Sequence, residues 1–259
     1  MTHTHEGFSA VDEQREAEQF VAYLDEADRQ PVIVELRRTI AERLDLRPAD
    51  ALLDVGCGTG TALFELAARV ARAVGVDLSE EMLEVARSRA RPGVELLRSD
   101  AAALPFDDGT FDAYRAERIY QHLEDPHAAL REARRVLKPG GRLVVADPDW
   151  SGLLVDLDDD RLLRRALAAT VASRPSATVG RRLRRLALEA GFPDVEIVPF
   201  LGVMTDREAV TRMLLTGLVY TDAAAAELGV ELDKLRTQLE SCEPFLAAIP
   251  VFVLSARTD

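Results

Sequence analysis

Gly56-Cys57-Gly58-Thr59-Gly60, with Asp54 two residues ahead of it, has the residue types of a ligand cradle. Glycine lets the backbone approach a ligand closely because no Cβ intervenes. A turn that opens a helix also aims free N–H groups outward, at a carboxylate as readily as at a phosphate. Asp77 follows 17 residues beyond Gly60, and a carboxylate at a strand end can accept both hydroxyls of a ribose, as acids do in dinucleotide folds. Met82 lies one helical turn further on, where a soft thioether either packs on an adenine face or fills the core. His122 titrates near neutrality, so it can take a proton from a hydroxyl or amine, or it is a structural histidine bonded within its loop. Cys57 fills space in the turn; with Cys242 it forms neither a metal-ligand spacing nor a disulfide framework.

These residues need strands and helices to hold them. Leu52, Leu53 and Val55 around Asp54 predict a buried parallel strand, and Thr61 to Arg72 a helix. Further strands are expected at 73–77, 94–98, from Phe111, at 142–147, 195–198 and 251–255. Ser79 caps the helix after Asp77, with Glu80 and Glu81 in its first turn. Ahead of the first strand, Phe20, Tyr23, Leu24 and Ala27 are helically spaced. Pro31 suits the first turn of a second helix with apolar face Ile33, Leu36, Ile40 and Leu44. A helix through Leu130, Ala133, Val136 and Leu137 is stopped by Lys138-Pro139-Gly140-Gly141. Residues 151–190 and 206–247 are helical by pattern, the second opened by a capping box, Thr205-Asp206-Arg207-Glu208. Residues 1–12 are expected to be mobile.

The net charge of −13 argues against a nucleic-acid partner, which needs basic surface. The run Arg181-Arg182-Leu183-Arg184-Arg185 reads as a solvated helix face, with a docking face for an acidic partner as the other reading. No apolar run approaches the roughly 18 residues of a membrane span, and Met1 to Gly7 lacks the order of a signal peptide. A cytoplasmic location, no membrane partner and no metal are expected.

The glycines follow G-x-G-x-G, not the G-x-G-x-x-G of dinucleotide folds, which argues against a nicotinamide oxidoreductase. Leu53-Asp54-Val55-Gly56-Cys57-Gly58-Thr59-Gly60 resembles motif I of the class I S-adenosylmethionine (SAM) methyltransferases. Ser99-Asp100-Ala101 resembles the family's adenine reader. Leu104-Pro105-Phe106-Asp107-Asp108-Gly109-Thr110-Phe111-Asp112 is similar to a signature of its small-molecule branch, the methyltransferase type 11 or UbiE-like proteins. Leu137 to Asp147 resembles motif III, and Ala190-Gly191-Phe192 the step before a sixth strand. Asp147-Pro148-Asp149-Trp150 is similar to the D-P-P-Y motif of nucleic-acid amino-methyltransferases. It follows the fifth strand rather than the fourth and has Asp in third place, so that reading is rejected.

The resemblance implies a Rossmann-like, seven-stranded, mostly parallel α/β sheet with helices on both faces and an antiparallel last strand. It divides the chain into an N-terminal helical lid (1–45), a cofactor-binding core (46–200), a helical substrate-lid insertion (201–248) and a final strand (249–259). It implies SAM as cofactor, S-adenosylhomocysteine as product, and binding by Asp54, Gly56, Cys57, Gly58, Gly60, Asp77, Leu78, Met82, Ser99, Asp100, Ala101, Glu117 and Arg118. Tyr23 is either a lid residue over the cofactor or a tyrosine packed on the domain. His122, oriented by Asp147, is the implied general base. The expected reaction is methyl transfer to a small-molecule acceptor, a secondary metabolite with oxygen slightly favoured, by a monomer or homodimer. The alternative is a SAM-binding protein of this fold that transfers no methyl group, a cyclase or binding module.

Overall fold

The computed structural model describes residues 14–90, 92–211 and 231–259. The expectation for residues 1–12 lies outside them, and so does that for the 212–230 part of the helical insertion.

The sheet is built outward from β1 (Ala51–Val55), which pairs in parallel with β2 (Arg72–Asp77) on one side and β4 (Phe111–Glu117) on the other. β3 (Val94–Arg98) adds in parallel beyond β2, and β5 (Leu137–Pro148) beyond β4. The chain therefore winds in one direction through β2 and β3 and in the other through β4 and β5. The strand order reverses at β1 and β4, and open α/β sheets bind ligands outside the carboxyl ends at such a switch point. β8 (Ala247–Arg257) inserts antiparallel between β5 and β7 (Asp194–Met204).

Alternation along each strand makes two cores. Leu52, Ala113 and Val144 face one, with Leu36, Ile40 and Leu44 of α2 (Pro31–Leu44) and Leu63 of α3 (Thr61–Ala67). Leu53, Tyr114 and Val145 face the other, with Leu130 and Ala133 of α5 (Pro126–Val136) and Val179 and Leu183 of α7 (Val179–Glu189). Adjacent residues of one strand point to opposite faces, so each strand serves both cores. α1 (Gln14–Ala27) reaches the sheet's ligand edge, where Val21, Tyr23 and Leu24 pack on Met82 of α4 (Glu80–Arg89).

The Rossmann-like architecture with its antiparallel last strand is present, and several boundaries differ from the expectation. α3 ends at Ala67, since Arg72 already pairs with Ala51 in the sheet. Leu137 is the first residue of β5 rather than the last of a helix, pairing with Phe111 before a register shift. An eighth strand, β6 (Leu154–Val155), pairs with Ala247 and Ala248, continuing the flank of β8 that β5 leaves at Pro148. The rest of 151–190 is α-helical only over α6 (Asp160–Ala172) and α7, after a 3-10 turn at Trp150–Gly152. The helical turn from 207 is capped by Asp206, whose Oδ1 accepts the Ala209 N–H at 3.0 Å, one residue later than the expected box. α8 (Leu232–Ser241) is the other described helix between β7 and β8.

Candidate active site

β1 runs into α3 through three glycines that all have positive φ: Gly56 at 70°, Gly58 at 52° and Gly60 at 83°. They are glycine for different reasons. A Cβ on Gly56 would stand 2.1 Å from Ile119 Cδ1, and one on Gly60 would stand 2.4 Å from the Phe64 ring. A Cβ on Gly58 would meet nothing within 4 Å, because that face of the turn looks into open space. The turn is locked to the next strand: Gly56 and Cys57 N–H donate to the Val76 carbonyl at 2.7 and 3.0 Å. Cys57 is buried beside Gly75, its thiol pushed well up by burial, with Asp77 and Asp54 adding to the shift; it fills space.

Asp77 ends β2 directly beside this turn. Its Oδ2 accepts the Gly58 N–H at 2.8 Å and its Oδ1 the Ser79 N–H at 3.0 Å. Burial raises its carboxyl against the pull of those N–H groups. Each oxygen keeps a lone pair for a further donor. Ser79 caps α4 by accepting the Met82 N–H, which brings Met82 to the same wall. Leu78, 45% exposed, presents an apolar face next to Asp77. Beyond β3, the Asp100 side chain is exposed and accepts the Ala102 N–H at 2.8 Å, while Ala101 is buried.

These groups converge on one cavity of about 320 Å³ at the carboxyl ends of β1, β2 and β4. Tyr23, Gly56, Cys57, Gly58, Asp77, Leu78, Met82, Ser99, Asp100, Ala101, Glu117, Arg118 and His122 all line it. Gly60, Asp54 and Asp147, also expected at the site, stand behind its wall.

Asp54 is fully buried and bonded at 2.6 Å to Arg115, which also binds Glu117. Arg37 reaches Glu117 at 3.3 Å and Asp28 at 2.6 Å, and Arg118 reaches the same two acids at 3.2 and 3.3 Å. Three carboxylates and three guanidiniums thus form one network beneath the cavity, joining β1 and β4 to α2 and the end of α1. Burial would raise Glu117, but Arg115, Arg118 and Arg37 outweigh it and hold the carboxyl at about 2. For Asp54 burial prevails over Arg115 and the carboxyl is raised. Removing one partner of such a buried pair costs about 3–5 kcal/mol, so the network is a rigid floor to the cavity that Glu117 and Arg118 also line. Arg118 holds a left-handed backbone at φ 60°, a strained conformation for a side-chain-bearing residue and one that concentrates at functional sites.

The expected pairing of His122 with Asp147 has a different form. Asp147 is fully buried, and its two oxygens accept the N–H groups of Tyr120 and Gln121 at 3.0 and 3.1 Å. It fixes the turn that carries His122. Burial lifts its carboxyl to about 7 against those N–H groups. Burial, then the charges of Arg174 and Arg118, push His122 down to about 3. A nearby anion would have done the opposite.

Gln121, Arg174 and Arg115 carry no motif. Gln121 Oε1 accepts the Trp150 Nε1–H, and Gln121 Nε2 donates to the Arg118 carbonyl at 2.9 Å. The Arg174 guanidinium lies over the Trp150 ring, 4.2 Å from its centre. Arg115 has a sequence signal, a charge between Tyr114 and Ala116 in the middle of strand 111–117; Arg174 and Gln121 have none, because the Trp150 they both meet is remote in the chain.

A family model described as a methyltransferase domain matches residues 53–145. A demethylmenaquinone methyltransferase from Mycolicibacterium gilvum is 37% identical over 68% of this chain and 82% of its own length. An uncharacterized 37.1 kDa protein in a Streptomyces fradiae transposon is 39% identical over 92% of this chain and 71% of its own. Among solved structures, phosphoethanolamine N-methyltransferase 2 of Haemonchus contortus, in complex with S-adenosyl-L-methionine, superposes with a TM-score of 0.64 at 19% identity. That match covers 99% of this chain and 60% of that one, a likeness of fold.

Proposed function

Since the chain belongs to the class I SAM-dependent methyltransferases, we propose that its cavity takes SAM along the β1–β3 edge and a small-molecule acceptor, of the secondary-metabolite kind, along the β4–β5 edge. The observation that carries this reading is the convergence of the 56–60 turn, Asp77 and the 99–101 loop on one cavity. The residues present fit the cofactor. The open face at Gly58 leaves room against the backbone. Asp77 is braced by two N–H groups and keeps acceptor capacity for two ribose hydroxyls. Leu78 and Met82 offer apolar faces for adenine, with Asp100 and the Ala101 N–H at its edge. Glu117 and Arg118 face the methionine portion, and Tyr23 closes over it from α1. Asp54 and Gly60 act from behind, by shaping the turn.

The bound cofactor supplies an electrophilic methyl on a sulfonium, already attached to a good leaving group. What the chain contributes is positioning and exclusion of water, worth about 7–11 kcal/mol in favourable geometry. The acceptor wall joins Trp150, Phe200, Met204 and Ile249 to His122, which suits a flat, ring-bearing molecule. Oxygen remains the favoured atom. His122, neutral throughout the physiological range, is a hydrogen-bonding group there and a weak base, since proton transfer is most effective from a group titrating near the working pH. Asp147 is a positioning residue for the 120–122 turn. Helices α1 and α2 and the segment between β7 and β8 act as lids on the two sides of the core; the strands themselves reach into the expected 201–248 range, β7 to Met204 and β8 from Ala247. The reading is of a cytoplasmic enzyme, monomeric or homodimeric.

Calorimetric titration with SAM and S-adenosylhomocysteine tests the reading, followed by an acceptor screen that measures S-adenosylhomocysteine release. Micromolar binding of both with turnover supports it; failure of both to bind sinks it. Binding without release for any acceptor favours the non-transferring alternative.

A further inference from the structure

We propose that Arg174 receives a negatively charged oxygen of the methyl acceptor, so that the acceptor is an anion when bound. This rests on the methyltransferase reading and deepens it.

The other guanidiniums around the cavity, Arg37, Arg115 and Arg118, are paired with Asp28, Asp54 and Glu117. Arg174, just beyond the C-terminus of α6, has no carboxylate within ion-pair distance among the described residues. Its Nη1 donates to the Thr170 carbonyl at 2.8 Å and to Ser173 Oγ at 2.9 Å. Those bonds cap the helix and leave the rest of the guanidinium unexplained. Its Nε is buried without an acceptor among the described residues, and one face is covered by Trp150. A guanidinium removed from water without a counter-ion is costly, whereas its planar fork suits a carboxylate or another ionised oxygen.

Arg174 also sets the character of its neighbours in the cavity. Tyr23 and His122 both feel its charge. Burial lowers Arg174 itself to about 10, so it stays charged at neutral pH. Cation, indole, phenol and neutral imidazole make a subsite for an anionic group next to a ring.

The anion has two sources. It is a carboxylate held away from the reacting atom, or it is the ionised nucleophilic oxygen. In the second case an oxygen lone pair forms the O–CH₃ bond and the broken S–C pair stays on sulfur. The sulfonium and oxyanion charges then cancel, and no proton has to be taken in the site.

The test titrates the full chain, saturated with S-adenosylhomocysteine, with two matched pairs at pH 8: benzoate against benzamide, and 4-nitrophenolate against 4-nitroanisole. At least one anion should bind about tenfold more tightly than its neutral partner, the size of one charge-assisted hydrogen bond. The preference should vanish in Arg174→Gln with S-adenosylhomocysteine affinity unchanged. Arg174→Met, which keeps the stem over Trp150, serves if that variant fails to fold. Preference for benzoate alone identifies a remote carboxylate; preference for 4-nitrophenolate alone identifies the nucleophile. No preference in the wild type, or one that survives both variants, overturns the proposal while the methyltransferase reading stands. Absence of S-adenosylhomocysteine binding removes both.

Discussion

Asp77 holds the glycine turn with one oxygen and the start of α4 with the other, so its loss acts on the cradle and on the ligand together. Asp77→Ala should weaken S-adenosylhomocysteine binding by about 10–100-fold, corresponding to about 1.5–3 kcal/mol for hydrogen bonds to a charged group. Calorimetry checks this; unchanged affinity would remove Asp77 from the cofactor site. His122 gives a pH prediction with a definite sign. Its value in the fold is about 3 against an ordinary 6.5, so between these pH values the unfolded chain binds a proton that the folded chain does not. Acidification from 6.5 toward 3 therefore destabilises the fold through this residue. Asp147 works oppositely: raised to about 7 from 3.8, it contributes stability in acid that fades as pH rises through 7. The difference between His122→Gln and wild type isolates the histidine. The variant should gain Tm relative to wild type as pH falls below 6.5 and show no such gain at pH 8. For the same reason the wild-type rate should show no inflection near pH 6.5 arising from His122.

At the scale of elements, the β1–α3 turn separates fold from function within three residues. Gly56→Ala puts a methyl group into Ile119 and should destabilise the protein markedly in thermal denaturation. Gly58→Ala meets only backbone strain, about 1–2 kcal/mol for the left-handed region. It should fold yet lose most of its affinity for S-adenosylhomocysteine, because its methyl group enters the space proposed for the cofactor; unchanged affinity would place the ligand elsewhere. This turn was legible in the sequence because its signals are local: an apolar strand, an acid and glycines at fixed offsets. The acids at the ends of β2 and β3 were legible for the same reason. The ionic floor was not, since Asp54 and Arg115 stand 61 residues apart and Arg118 and Asp28 stand 90 apart. Nor were the two backbone N–H bonds that Asp147 accepts. An acid at a strand end looks the same in sequence whether it meets an imidazole or two backbone N–H groups. The two-residue β6 escaped because it lacks any periodicity and exists through β8 alone.

On the scale of the whole molecule, the cavity is assembled from both ends of the chain: Tyr23 and Val32 from the first helices, Ile249 and Val251 from the last strand. A ligand seated there ties α1, the sheet and β8 together and should stabilise the entire fold. At a hundred times its dissociation constant, S-adenosylhomocysteine contributes about 2.7 kcal/mol, which for a domain of this size raises Tm by roughly 5–10 °C. Differential scanning across a concentration series checks the rise, and a flat Tm would count against a cavity that closes on the cofactor.

β8 also has a consequence for how the protein is made. It runs between β5 and β7 and is their shared partner along Val251–Arg257. On the ribosome, the outer rim of β5 and the whole of β7 are synthesised well before the residues that will join them. The nascent chain can settle β1 to β5 early, but it carries two unsatisfied rims until residues 247–257 emerge. Such rims are templates for pairing with other chains. The half proposed to cradle the cofactor is thus ready first, and the half proposed for the acceptor is sealed only when residues 247–257 arrive.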